Sequence, residues 1–126
     1  MNNPAGKIAW LVDDNKSVRS SMGAVLHAFG IDVQLCASAA EFLESFDPGT
    51  TGCLVADYDM PGMTGLELLE TLRARGCTLP VVIITGRGDA ALEQRILAAG
   101  GLRMLHKPVD SDELFVLIEK AMLNNG

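Results

Sequence analysis

The residue pattern predicts an α/β protein of five parallel strands with helices on both faces. Short apolar runs alternate with amphipathic stretches along the whole of the 126 residues. Most of those runs are continuously apolar, as expected of strands covered on both sides. Helix-capping signals stand just before several of the amphipathic stretches. Strict alternation of this kind requires crossover connections, which are right-handed and give a parallel sheet.

The first apolar run, Ile8 to Val12, is the first strand and ends at Asp13-Asp14. Val18, Met22, Val25, Leu26 and Phe29 then recur at helical spacing until Gly30 stops the helix. In the second run, Ile31 to Cys36, Ile31, Val33 and Leu35 alternate with polar neighbours, which marks an edge strand. Ser38-x-x-Glu41 is a capping box for the second helix and Thr64-x-x-Glu67 for the third. Between them lies the strand Cys53 to Ala56, followed by Asp57. The fourth run, Leu79 to Thr85, leads to a helix capped by Asp89, with Leu92 and Ile96 on its apolar face and Gly100-Gly101 at its end. Leu102 to Leu105 is the last strand. Asp110-x-x-Glu113 opens a fifth helix bearing Leu114, Leu117, Ile118 and Ala121 on one face. Asn124-Asn125-Gly126 is expected to be the frayed end of that helix or the point where a longer chain was cut.

This length suits one domain, residues 1–126. Apolar residues make up 48% of the chain and the mean hydropathy is +0.24, enough for a core without covalent staples. A net charge of −6, with no run of Lys or Arg, argues against direct binding to nucleic acid. Cys36, Cys53 and Cys77 form neither a C-x-x-C pair nor a disulfide framework. Packing is the reading for Cys36 and Cys53, whereas Cys77, after Gly76 in a loop, is a candidate reactive thiol. Reduced thiols, and apolar runs too short for a signal peptide or a membrane span, lead to the expectation of a cytoplasmic protein with no membrane contact.

Sites in open α/β sheets form beyond the carboxyl ends of the strands. Strand 1 ends in Asp13-Asp14, strand 3 in Asp57, strand 4 in Thr85, and strand 5 runs into Lys107-Pro108. Three carboxylates, a hydroxyl and an ammonium therefore converge on one rim. Crowded carboxylates repel one another, and a divalent cation such as Mg²⁺ relieves that repulsion while leaving room for phosphate oxygens. Thr85 and Lys107 are suited to the remaining phosphoryl oxygens, and an aspartate in such a site is a plausible phosphoryl acceptor. Taken singly, each residue also has an ordinary role: Asp14 as part of a helix cap, Asp59 as a turn acid before Pro61-Gly62, Lys107 as a solvated lysine. Their joint placement at four strand ends is what points to function.

From about Lys7 onward the chain resembles the receiver domains of bacterial two-component response regulators. The resemblance rests on Leu11-Val12-Asp13-Asp14, on Asp57-Tyr58-Asp59-Met60-Pro61-Gly62-Met63-Thr64-Gly65, on Val82-Ile83-Ile84-Thr85-Gly86 and on Lys107-Pro108. It implies a flavodoxin-like (βα)5 fold with strand order 2-1-3-4-5. It also implies that Asp57 is the phosphoacceptor, and that Asp13, Asp14, Asp57 and the backbone carbonyl of Asp59 hold Mg²⁺ or Mn²⁺. Thr85 would be the switch hydroxyl and Lys107 its partner on the phosphoryl group. The donor would be a sensor histidine kinase or a phosphotransfer protein. The switched surface would be helix 4, strand 5 and helix 5, a face also suited to forming a homodimer. The Ile84-Thr85-Gly86-Arg87-Gly88-Asp89 stretch is most similar to receivers joined to helix-turn-helix output domains. Many members carry an aromatic residue three positions before the lysine. Met104 stands there, which puts the details of the switch coupling in question. Asp59 and Arg87 border the path of a hydrolytic water in this family and are expected to pair across the site mouth. His106 is expected on the surface of strand 5.

Two other readings compete. A haloacid-dehalogenase-type phosphatase would use Asp57 and Asp59 as nucleophile and acid, but that family places its D-x-D on the first strand and its acidic pair near the end. An FMN carrier would need a Ser-, Thr- and Gly-rich loop after strand 1, where Asp13-Asp14-Asn15 would repel the phosphate.

Overall fold

Valine, isoleucine and leucine dominate the apolar runs, and each run becomes a strand. In the computed structural model, which describes residues 8–47 and 49–124, the elements alternate without exception. They are β1 (Ile8–Val12), α1 (Lys16–Ala28), β2 (Asp32–Cys36), α2 (Ala39–Ser45), β3 (Cys53–Asp57), α3 (Gly65–Ala74), β4 (Val81–Thr85), α4 (Ala90–Ala98), β5 (Arg103–His106) and α5 (Ser111–Asn124). All strand pairs are parallel, and the sheet order is β2-β1-β3-β4-β5. The expected flavodoxin-like order is therefore observed, and β2 is an edge strand. Asn125 and Gly126, the rest of the segment expected to fray, lie outside the described residues.

The boundaries that differ from expectation have local causes. Ile31 is spent on closing α1, its amide donating to Leu26 O while Gly30 turns with φ +90°, so β2 begins one residue later. Pro80 has no amide to offer the ladder, and β4 starts after it. The Thr64 capping box is complete. At Ser38 only half of one forms: Ser38 Oγ accepts from Glu41 N, but the Glu41 carboxylate reaches back to Ala37 N instead.

Side chains alternate across the sheet and feed two cores. Val12, Leu54, Ala56, Val81 and Ile83 face α2, α3 and α4, where Phe42, Leu68, Leu69, Leu72 and Ile96 are fully buried. Leu11, Val55, Val82 and Ile84 face α1 and α5, against Leu26, Leu114 and Ile118. Each of the Val, Leu, Ile and Phe side chains among them contributes roughly 1.5–3 kcal/mol on burial. The three cysteines belong to these cores as well. Burial pushes the Cys53 thiol up to about 12. Burial also raises the Cys36 thiol to about 11, with Glu41 adding to the rise and Arg19 opposing it. The expectation of a reactive Cys77 is corrected: the turn after Gly76 folds back under α3, burying the residue, and Cys77 Sγ accepts from Leu79 N. Among the described residues no helix is long and apolar enough to cross a membrane.

Candidate functional site

Strand register decides what meets at the carboxyl rim. Val12 lies level with Cys36 and Ala56, Asp57 with Ile84, and Thr85 with His106. Asp13, Asp57, Thr85 and Lys107 therefore leave the sheet side by side. Asp13, Asp57 and Thr85 are the buried polar or charged residues among those described, at 8%, 5% and 0% exposure. A core that otherwise excludes polar groups has admitted three at one rim, and that placement needs a purpose.

Asp13, Asp14 and Asp57 each offer a carboxylate oxygen, and the three oxygens lie within 4.8 Å of one another. Asp14 is exposed, so the cluster opens to solvent on one side. An all-oxygen carboxylate set suits a hard divalent cation that keeps some of its waters. Lys107 Nζ stands 3.1 Å from Asp57 Oδ1. Burial raises the Asp57 carboxyl; the hydrogen bond from Lys107 opposes the rise, and the charge of Asp13 adds to it. Burial alone would lower the Lys107 ammonium, but its hydrogen bond to Asp57 and the charges of Asp57, Asp13 and Asp59 outweigh that and raise it. The lysine thus balances an excess of negative charge.

The backbone around Asp57 is held by several hydrogen bonds. Tyr58 N donates to Ile84 O at 2.8 Å, Asp59 N to Asp57 Oδ1 at 3.4 Å, and Gly65 N to Tyr58 O at 3.2 Å. Gly65 is required where it stands, because a Cβ there would lie 2.8 Å from Asp57 O. Thr85 Oγ1 accepts from Arg87 N at 3.2 Å, and Lys107 N donates to Thr85 O. The expected pair across the mouth is present, with Arg87 Nη2 3.2 Å from Asp59 Oδ1 and both side chains exposed. Met104 is buried beneath the β4–α4 connection, where a Cβ on Gly88 would meet its Sδ at 2.7 Å and the Thr85 methyl at 2.6 Å. His106 is exposed as expected, yet its Nε2 lies 3.1 Å from Gly88 O. That contact escaped the sequence reading because it joins residues 18 apart and has no local pattern.

The family model of the response regulator receiver domain matches residues 9–119. The transcriptional regulatory protein FixJ of Azorhizobium caulinodans is 37% identical over 112 residues, covering 89% of this chain and 53% of that protein. The DNA-binding transcriptional regulator NtrC of Escherichia coli is 36% identical over 115 residues, covering 91% of this chain and 24% of that protein. The chain thus spans about half, or less, of the curated relatives it matches. Among solved structures, response regulator StyR superposes with a TM-score of 0.89 at 38% identity, covering 96% of this chain and 61% of that one. FixJ-N superposes with a TM-score of 0.85 at 33% identity, covering 98% and 96%.

Proposed function

The chain belongs to the family of response regulator receiver domains, and on that premise we propose that Asp57 accepts a phosphoryl group from a phosphohistidine donor in a step that needs a divalent cation. The observation that carries the reading is the convergence of Asp13, Asp14 and Asp57 on one rim, with Lys107 3.1 Å from the buried acceptor. Asp57 attacks phosphorus; the new P–O bond forms as the P–N bond to the donor imidazole breaks, and the leaving nitrogen keeps the electron pair. The product is an acyl phosphate. Asp13, Asp14, Asp57 and the Asp59 carbonyl hold the cation, Mg²⁺ or Mn²⁺. When bound, it supplies positive charge that offsets the phosphoryl oxygens. Lys107 exchanges its carboxylate partner for a phosphoryl oxygen as that group arrives.

Thr85 turns its hydroxyl toward a second phosphoryl oxygen. In the structure Thr85 Oγ1 instead accepts from Arg87 N, so the turn releases the amide and shifts the Gly86-Arg87-Gly88 segment. Met104 packs against Gly88 and couples to the shift through shape rather than through an exchange of buried and exposed positions. Phosphorylation biases this two-state segment and with it the face of α4, β5 and α5. Leu97, Leu102 and Val116 are exposed there, which supports a partner surface for an output domain or a second copy. The donor is a sensor histidine kinase or phosphotransfer protein. Control of transcription, as the names of FixJ and NtrC state for those proteins, is the proposed output.

The test is chemical trapping. After incubation with acetyl phosphate and Mg²⁺, borohydride reduces an aspartyl phosphate to homoserine, and peptide mapping locates it. Homoserine at position 57 alone is expected; homoserine elsewhere, or none, would refute the assignment. Asp59 and Arg87 govern the lifetime of the acyl phosphate by screening the water that attacks it. Replacing both with Asn and Gln is expected to change the dephosphorylation half-life, and an unaltered half-life would sink this role.

A further inference from the structure

We propose that Arg19 is a positioning residue for the cation site, an inference that rests on the metal-dependent reading above. Arg19 is half-buried in the first turn of α1, and its Nη1 donates to Asp13 O at 2.7 Å, the shortest bond made by any group of the β1–α1 turn among those described. Its own amide donates to Asn15 O at 3.0 Å. One residue therefore holds the carbonyls of both neighbours of Asp14, that of Asp13 through its side chain and that of Asn15 through the first backbone bond of the helix.

The rest of the turn is tied into the same arrangement. Asp13 N donates to Cys36 O at the end of β2, and Asp13 Oδ1 accepts from Asn15 N at 2.8 Å. Asn15 Oδ1 in turn caps α1 by accepting from Val18 N. With Arg19 on its carbonyl, Asp13 is held through its amide, its carbonyl and one carboxylate oxygen, while Asp14, exposed between the residues whose carbonyls Arg19 holds, is oriented by the turn. Arg19 also shares with Asp13 and Asp57 the wall of a small cavity behind the rim. The guanidinium thus bonds to backbone, at the carbonyl of Asp13.

Two effects of this arginine on cation binding have opposite signs. Its positive charge, near two carboxylates that must hold a cation, weakens binding. Its grip on the Asp13 carbonyl keeps Asp13 and Asp14 converged, which strengthens binding because less ordering is left to be done when the ion arrives. The half-buried position and the charge-assisted bond to a fixed carbonyl favour the second effect.

The experiment is a calorimetric titration of metal-free wild type, Arg19→Gln and Arg19→Lys with Mg²⁺, together with amide hydrogen exchange at Asp14 and Asn15 before Mg²⁺ is added. Arg19→Gln is expected to weaken Mg²⁺ binding roughly tenfold, the lower end of the loss seen when a group orienting a metal ligand is removed. The Asp14 and Asn15 amides should exchange faster in the same variant, and Arg19→Lys should fall between. A role confined to stabilising the fold would lower the melting temperature and leave the Mg²⁺ affinity of the folded protein unchanged. Unchanged or tighter binding in Arg19→Gln overturns the inference, and Arg19→Lys decides the matter if the Gln variant does not fold. A wild type that binds no Mg²⁺ overturns the metal reading itself.

Discussion

Asp57, the proposed phosphoacceptor, is also a liability to the fold. Its carboxyl is raised by burial above the ordinary 3.8, despite the contact with Lys107. Below pH 3.8 the group is protonated in both the folded and unfolded chain and exacts no penalty. As pH rises past that value the unfolded chain releases its proton first, and the folded state is left at a disadvantage that is complete once the raised value is passed. Metal-free Asp57→Asn is therefore expected to be more stable than wild type at neutral pH, with the two converging in acid, as read from urea midpoints. A wild type that is the more stable of the two at neutral pH would contradict this electrostatic picture. The acceptor, the acidic pair, the hydroxyl and the lysine could all be read from sequence, because each is a polar residue that ends or follows an apolar run. Arg19 and the His106 contact with Gly88 could not. Both act on backbone carbonyls, and no side-chain pattern announces a carbonyl as a partner. The burial of Cys77 was hidden for a related reason: the turn that carries it folds back under α3, which local composition does not reveal.

The connections after β3 and β4 carry the chemistry that the strands only position. The β3–α3 connection is braced by Gly65, whose missing Cβ lets α3 start directly over the Asp57 carbonyl. Gly65→Ala forces a Cβ to 2.8 Å from Asp57 O and 3.2 Å from Ile83 Cδ1, so the backbone of the acceptor must move. We expect a loss of about 1–3 kcal/mol in stability by urea titration, in the range of overpacking, and slower phosphoryl uptake in the folded fraction. The β4–α4 connection is held by Thr85, Asp59 and His106 through separate contacts, all near the place where the phosphoryl group would sit. Elements that move are drawn from the less stable parts of a fold, and the exposed contacts of Asp59 and His106 suit the movement proposed for this connection. The five strands and five helices followed from periodicity and capping signals, and the later starts of β2 and β4 trace to Ile31 and Pro80.

Across the molecule, the parallel order β2-β1-β3-β4-β5 puts β1 and β3 side by side, and that adjacency is what brings Asp13 and Asp14 to Asp57. Alternation of strands and helices permitted this order without requiring it; the motif resemblance supplied it. Because the cation site is assembled only by the folded sheet, Mg²⁺ at a hundredfold excess over its Kd is expected to stabilise the protein by about 2.7 kcal/mol, an effect reversed by chelation and absent in Asp13→Ala. Equal urea midpoints with and without Mg²⁺ would contradict the metal assignment. The most direct measurement is the intact mass of the protein after incubation with acetyl phosphate, with and without Mg²⁺, for wild type and Asp57→Asn. One labile phosphoryl group that requires Mg²⁺ and is missing from the variant is the expected result. A wild type that gains no phosphoryl group, or a variant that gains it equally well, would contradict phosphoryl acceptance by Asp57.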